Sequence, residues 1–301
     1  VGETTCDAKK KAWDLLGMKV LEVPQKKNVI DRDLWLTEVY NFKEMVEKLS
    51  GVKITSERLK GAIKLVNDRR RALLRINETR KLEEPPINGL DALLVSQLAL
   101  NMDVREFNEA ANVLADELDE RANKGVSAYE KPGVRVMFAG SPSPLGNAKV
   151  HHVVESSGMR IVADESCTGL RYFRDLVDEG ISGLDGMVEA IADRYFKIDC
   201  ACFSPNSERV ENIAALIREY NVGGVIHNIL QYCHGFDIEA GVVDRKLAEL
   251  GVPSLKIVTD YSEEDLEQIR VRTEAFSEVI KAPSHAASGA AAKPKPEKTK
   301  G

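Results

Sequence analysis

No stretch of this sequence approaches the roughly 18 consecutive apolar residues of a membrane span, and no signal peptide opens it. Both absences point to the cytoplasm. Positive charge is not in excess either. The formal net charge of −6 gives no general attraction to nucleic acid or to an anionic membrane. Cysteine is scarce: Cys6, Cys167, Cys200, Cys202 and Cys233, an odd number at wide intervals. Such spacing excludes a small disulfide framework, and in a reducing compartment these thiols stay reduced, bind metal or do chemistry. The opening "VGETTCDAKKKAWDLLG" also lacks an initiator methionine. Val1-Gly2 looks like the stub of a strand, so an N-terminal truncation is expected.

What is present is an ordinary globular composition, 43% apolar and 30% charged. At about 150 residues per domain, the length suggests roughly two domains. Residues 7–16 read as a short helix stopped by Gly17, and "MKVLEV" (18–23) as a strand closed by Pro24. Strand, helix and strand in that order are the end of an α/β unit. From about 33 to 124 the apolar residues recur three and four apart, predicting long amphipathic helices interrupted at Pro85-Pro86. Arg69-Arg70-Arg71 lies inside this pattern with acidic neighbours and reads as a solvated face.

After "KPG" the alternation returns, with strands expected at 134–140, 160–164, 196–203, 223–228 and 254–260. Short β-rich runs separated by helices predict a mostly parallel sheet covered on both faces. The expected class is therefore α/β: two Rossmann-like parallel-sheet domains, the first truncated, with an intervening helical region. The expected division is 1–32, 33–130, 131–281 and an Ala/Pro/Lys-rich disordered tail at 282–301.

On that scaffold every cysteine falls at or just beyond the carboxyl end of an expected strand, the edge where open parallel sheets bind ligands. A free cysteine is also a common small core residue. That reading weakens when all five share one kind of position and the long helical region has none. Structural zinc takes ligands in close pairs; Cys200 and Cys202 form one such pair, but Cys6 and Cys167 are isolated. A nucleophile needs one sulfur and a base. An iron–sulfur cluster, held by thiolates that distant loops can supply, suits the pattern better. Cys6, ahead of a helix and the lysines at 9–11, is expected to favour its thiolate.

Four motifs, "GETTCDAKKK", "ADESCTGLRYF", "CACFSPNSERV" and "QYCHGFDIE", followed by "TDYSEEDLEQIRVRTEAF", resemble the 2-hydroxyacyl-CoA dehydratase and benzoyl-CoA reductase family. The resemblance runs from Val1 to about Lys281. It implies oxygen-sensitive subunits holding a [4Fe–4S] cluster between α/β domains, with Cys6, Cys167 and Cys233 as thiolates of one cubane. In the dehydratases the last motif usually reads Cys-Asp-Pro-His, whereas here His234 follows Cys233 directly. Together with Cys200-x-Cys202, this looks closer to the double-cubane cluster branch, which makes Cys200 the next ligand and leaves Cys202 less defined. The resemblance further implies a homodimer or related-subunit heterodimer, an ATP-dependent iron–sulfur activator or reductase, and an acyl-CoA substrate.

Other features carry weaker expectations. "GSPSPLGN" (140–147) follows a strand as a phosphate loop does, but its prolines remove N–H donors, favouring an ordinary turn. His234 is a candidate to orient a cluster sulfur. His227 reads as a satisfied residue at a strand end, and His151-His152 as the start of an exposed helix. Glu165 and Glu3 read as surface carboxylates that could relay protons. Two rivals keep the fold: a non-catalytic electron-transfer subunit, and a metal-free binder of small molecules with buried thiols.

Overall fold

A computed structural model describes residues 2–4 and 7–282. Cys6 and the expected tail from 283 onward lie outside the described residues. The chain is α/β. In order, the elements are β1 (Gly2–Thr4), α1 (Asp7–Leu15), β2 (Val20–Glu22), α2 (Val29–Ser50), α3 (Ser56–Glu78), α4 (Gly89–Asn101) and α5 (Val104–Asn123). These are followed by β3 (Arg135–Gly140), α6 (Lys149–Ser156), β4 (Arg160–Asp164), α7 (Leu170–Phe173), α8 (Leu184–Phe196) and α9 (Ser207–Glu219). The chain closes with β5 (Gly224–Leu230), α10 (His234–Leu250), β6 (Ser254–Thr259) and α11 (Leu266–Lys281). Among the described residues no helix is long and apolar enough to cross a membrane.

The main sheet is parallel throughout, in the order β4-β3-β5-β6. Side chains alternate across it, as strand geometry requires. Val136 and Phe138 enter a core with Val150, Val154, Ile269 and Phe276 from α6 and α11. Met137 and Ala139 enter the opposite core, with Ile213, Val243 and Leu247 from α9 and α10 and with the inner faces of α3 and α5. β3, β4 and β5 are buried on both faces, whereas the edge strand β6 exposes Lys256 and Val258 on one of them. β4 leaves β3 on one side and β5 lies on the other, so the chain changes direction at β3, and the crevice this creates opens at the carboxyl ends of the strands.

The intervening helices are capped where their sequence allows. Asn28, Asn88 and Asp103 each accept a hydrogen bond from a first-turn N–H, and Gly51 ends α2 in the left-handed region at φ 69°. Arg70 departs from the solvated face expected of the arginine triplet. It is buried, donating to Asn67 Oδ1 at 3.1 Å and to the Tyr195 hydroxyl at 3.2 Å. Asn67 in turn binds the Val177 carbonyl and N–H. This polar knot ties α3 to the segment that follows the Cys167 turn.

β1 and β2 form a separate two-stranded parallel sheet. The chain after β2 runs alongside the 197–208 segment: Ser204 N–H donates to the Gln25 carbonyl at 2.8 Å and Lys27 pairs with Glu208 at 2.5 Å. Arg32 clamps Asp193 through two nitrogens at 2.6 and 3.0 Å, and Trp35 Nε1 donates to the Ala192 carbonyl.

The strand expected at 196–203 does not form. α8 runs to Phe196, and 197–203 is a series of turns. Polar side chains win over β propensity there. Asn206 Nδ2 takes the Asp199 and Cys200 carbonyls, Asn212 takes the Asp199 carboxylate, and Phe203 N–H closes a turn onto the Cys200 carbonyl at 3.1 Å.

Candidate cysteine site at the sheet edge

Cys167 sits in a turn that leaves β4 and folds back on it. Ser166 N–H donates to Asp164 Oδ1 at 2.8 Å, and Gly169 N–H to the Ser166 carbonyl at 3.0 Å. Glycine is required at 169 because a Cβ would overlap the carbonyl oxygen of Asp164. Thr168 Oγ1 accepts from Ser143 N–H at 3.0 Å, locking this turn to the "GSPSPLGN" loop. Ser141 N–H is likewise spent on the Asn228 carbonyl, and Gln97 caps the Ser143 and Pro144 carbonyls. The N–H groups of Ser141, Ser143 and Asn147 are thus taken by Asn228, Thr168 and Pro144, which favours an ordinary turn.

The 197–203 turns bring Cys200 and Cys202 to Cys167. The Cys167 and Cys200 thiols hydrogen-bond to each other, and Cys200 also bonds to Cys202. Hydrogen bonding to Cys200 and burial push the Cys167 thiol well above its usual pKa, against the pull of Arg171. The bond with Cys167 lowers Cys200, but its bond to Cys202 together with burial leaves it pushed up to about 11.

Cys233 follows β5 and caps α10. Its N–H donates to the Leu230 carbonyl at 2.9 Å and its carbonyl accepts from Asp237 N–H at 3.1 Å. The turn carrying it abuts the Cys200 turn: a Cβ at Gly235 would lie 3.4 Å from the Ala201 carbonyl oxygen. Three chain segments far apart in sequence therefore converge on one sheet edge.

Glu165 is not the surface carboxylate expected. Only 1% exposed, it accepts from Arg209 Nε and Nη2 at 3.1 and 3.0 Å and from Arg171 Nη2. Arg171 Nη1 donates to Cys167 Sγ at 3.2 Å, while its Nε lies 3.3 Å from Asp199 Oδ1. Asp199 also receives Arg174 and Asn212, and Arg209 Nη1 reaches Glu239 at 2.6 Å. Burial alone would raise Asp199, but Arg171 and Arg174 hold its carboxyl below the ordinary range. The Phe236 ring lies 5.2 Å from the Arg171 guanidinium and 4.9 Å from that of Arg209.

Burying so many charges is costly even when they are paired, and apolar residues of equal volume would hold a core at least as well. Such a network beside three thiols is the mark of a functional site. Sequence periodicity could not reveal Arg171 and Arg209: α7 is a single turn, too short to show a period, and Arg209 sits among polar neighbours at the start of α9.

The histidines divide. His227 is satisfied as expected, with Nε2 2.8 Å from Asp244 Oδ1, although it lies within β5 rather than at its end. His151 is not at the start of an exposed helix. It is buried, stacked on Phe138 at 4.2 Å, with Nε2 3.4 Å from Asp164 Oδ2. His234 is exposed, and its side chain makes no hydrogen bond to a described residue. A mixed-charge cleft of about 460 Å³ is lined by Arg174, Lys197 and Glu211 among others, and its lining residues Arg174 and Asn212 bind the Asp199 carboxylate.

The donor chemistry fits an iron–sulfur cofactor: soft sulfur ligands, with Cys200 hydrogen-bonded to both Cys167 and Cys202, beside the buried guanidinium of Arg171. Among the described residues, no group of three or more His, Cys, Asp and Glu side chains is arranged as an ion site.

Residues 1–280 match the model of a protein family described as 2-hydroxyglutaryl-CoA dehydratase, D-component. Over 291 residues the chain is 32% identical to the putative dehydratase subunit YjiM of Escherichia coli (strain K12), covering 93% of this chain and 73% of that protein. It is 25% identical to the (R)-phenyllactyl-CoA dehydratase beta subunit of Clostridium sporogenes, over 86% of this chain and 67% of the relative. Identity to a benzoyl-CoA reductase subunit of Thauera aromatica is 22%, over 88% of this chain and 67% of the relative.

Proposed function

Because this chain belongs to the 2-hydroxyglutaryl-CoA dehydratase D-component family, we propose that it is an iron–sulfur subunit of an ATP-driven low-potential reductase, carrying a double-cubane cluster. The observation that carries this reading is the sulfur-to-sulfur contact of Cys167, Cys200 and Cys202 beside the Cys233 turn. Relatives named as dehydratase beta subunits and as a benzoyl-CoA reductase subunit support a second, related subunit as partner. An acyl-CoA is the substrate class those names suggest.

In this reading Cys167, Cys233 and Cys200 hold the metal with Cys6, and Cys202 stands beside Cys200 as a further sulfur. More cysteines than one three-thiolate cubane uses is the reason for preferring two cubanes. When bound, the cluster supplies single electrons at low potential. The protein does the rest. Loading displaces the protons that the raised Cys167 and Cys200 thiols hold. Glu165 and Asp199 fix Arg171 against Cys167, and Phe236 screens the guanidinium from water. Thr168 and Gly169 hold the Cys167 turn against β4.

Anaerobic preparation tests this. The expected product is brown, with about eight irons and matching sulfide per chain, whereas about four would leave a single cubane. Cys167→Ala is expected to lose most of the iron. A colourless wild-type protein without sulfide would sink the reading. Turnover with an ATP-driven reductant then separates an enzyme from an electron relay.

A further inference from the structure

Arg171 joins the buried carboxylates to a cysteine sulfur. Its guanidinium is held at Nη2 by Glu165, and Asp199 faces Nε at 3.3 Å as an ion pair without hydrogen-bond geometry. The Phe236 ring lies 5.2 Å from its face. The remaining edge, Nη1, is directed at Cys167 Sγ at 3.2 Å. A planar fork held this way cannot turn aside, which a flexible ammonium could do.

We propose that Arg171 is a positioning residue for the cofactor: its Nη1–H donates a hydrogen bond to the Cys167 sulfur in the loaded protein and raises the midpoint potential of the cluster. The inference rests on the iron–sulfur reading above. A hydrogen bond to a ligating sulfur draws electron density from the iron and favours the more reduced state. Direction matters here more than net charge. Arg171, Arg174 and Arg209 face Glu165, Asp199 and Glu239 in one network, so the formal charges cancel and the aimed N–H is what the sulfur receives.

Arg209 provides the control. It is as buried as Arg171 and binds the same Glu165, yet it faces carboxylates and the Phe236 ring rather than a sulfur. In anaerobically loaded full-length protein, R171K is expected to shift the midpoint potential to more negative values, with an altered EPR spectrum of the reduced cluster. R209K, which loosens Glu165 but leaves the Nη1–sulfur contact of Arg171 in place, is expected to shift the potential by clearly less than R171K does. An equal shift in both variants, or none in R171K, overturns the proposal.

Because R171K could fail to keep its iron, wild-type protein labelled with ¹⁵N-guanidino arginine supplies an independent readout. Pulsed EPR of the reduced cluster is expected to detect a nitrogen coupling, and its absence from an iron-loaded sample overturns the proposal. Wild-type protein that binds no iron at all defeats the cofactor reading instead, so the two failures are distinguishable.

Discussion

The Cys167 and Cys233 turns both follow a parallel strand at the same edge of the same sheet, yet they are built on different principles. Around Cys167 the chain is held by buried charge: Glu165, Arg171, Arg209 and Asp199 are each 2% exposed or less. Around Cys233 it is held by backbone hydrogen bonds to Leu230 and from Asp237, with Tyr232 and Ile238 exposed. Tyr232 even adopts a left-handed backbone at φ 70°, a conformation costly for a bulky residue. One sulfur is set rigidly in a polar lattice. The other sits on an open rim where chain, cofactor or partner can approach.

The contrast can be broken most forcefully at its charged end. Glu165→Ala takes from two buried arginines the carboxylate they share and is expected to destabilise the metal-free protein by about 3–5 kcal/mol, as breaking a buried pair does. Urea unfolding measures the loss. A value near that of an exposed carboxylate would mean the network is not the support described. Gly169→Ala pushes a methyl group into the Asp164 carbonyl and is expected to cost about 1–3 kcal/mol, as overpacking does. It should also speed alkylation of Cys167 while leaving Cys233 unchanged. Equal acceleration at both thiols would erase the distinction between the turns.

At the open rim the sign reverses. Tyr232→Gly relieves the left-handed strain without uncovering a core, and is expected to stabilise the protein by up to about 1 kcal/mol after the added freedom of the unfolded chain is counted. A lower denaturation midpoint would contradict it.

The smallest expected effect is acid sensitivity. Asp199 has a pKa held below its ordinary 3.8 in the folded protein, since Arg171 and Arg174 outweigh burial. Its contribution is complete above the unfolded value and is lost as pH falls through the lower, folded one. Protection against hydrogen exchange in the 197–203 turns, measured relative to the intrinsic rate at each pH, should therefore fall below about pH 4, while that of the Cys233 turn stays constant. Acid loosening of both turns together would show that Asp199 does not distinguish them.

Much of this frame was legible in the residues. The 3.6-residue period marked α2 to α5, Gly17 ended α1, and the apolar runs at 134–140, 160–164 and 254–260 became β3, β4 and β6. β3 and β4 follow a local rule, since a strand buried on both faces must be mostly apolar, while the edge strand β6 turns Leu255 and Ile257 to its covered face. The run at 196–203 misled because a short apolar stretch has no period of its own, and the amides of Asn206 and Asn212 decided its shape. Arg70 and His151 were misread as exposed for a related reason. Their partners, Tyr195 and Phe138, come from other elements.

The sequence by itself determined the α/β alternation, the placing of Cys167 and Cys233 just past strand ends (Cys200 and Cys202 follow a helix instead), and the membership that their motifs declare. Those are properties of neighbours along the chain. Only the tertiary structure decided that Cys167, Cys200 and Cys202 touch, and that Glu165 is a buried anion shared by two arginines rather than a surface carboxylate. A carboxylate looks the same in sequence whether it faces water or a guanidinium 44 positions away. Its energy depends on that choice, and folding alone makes it.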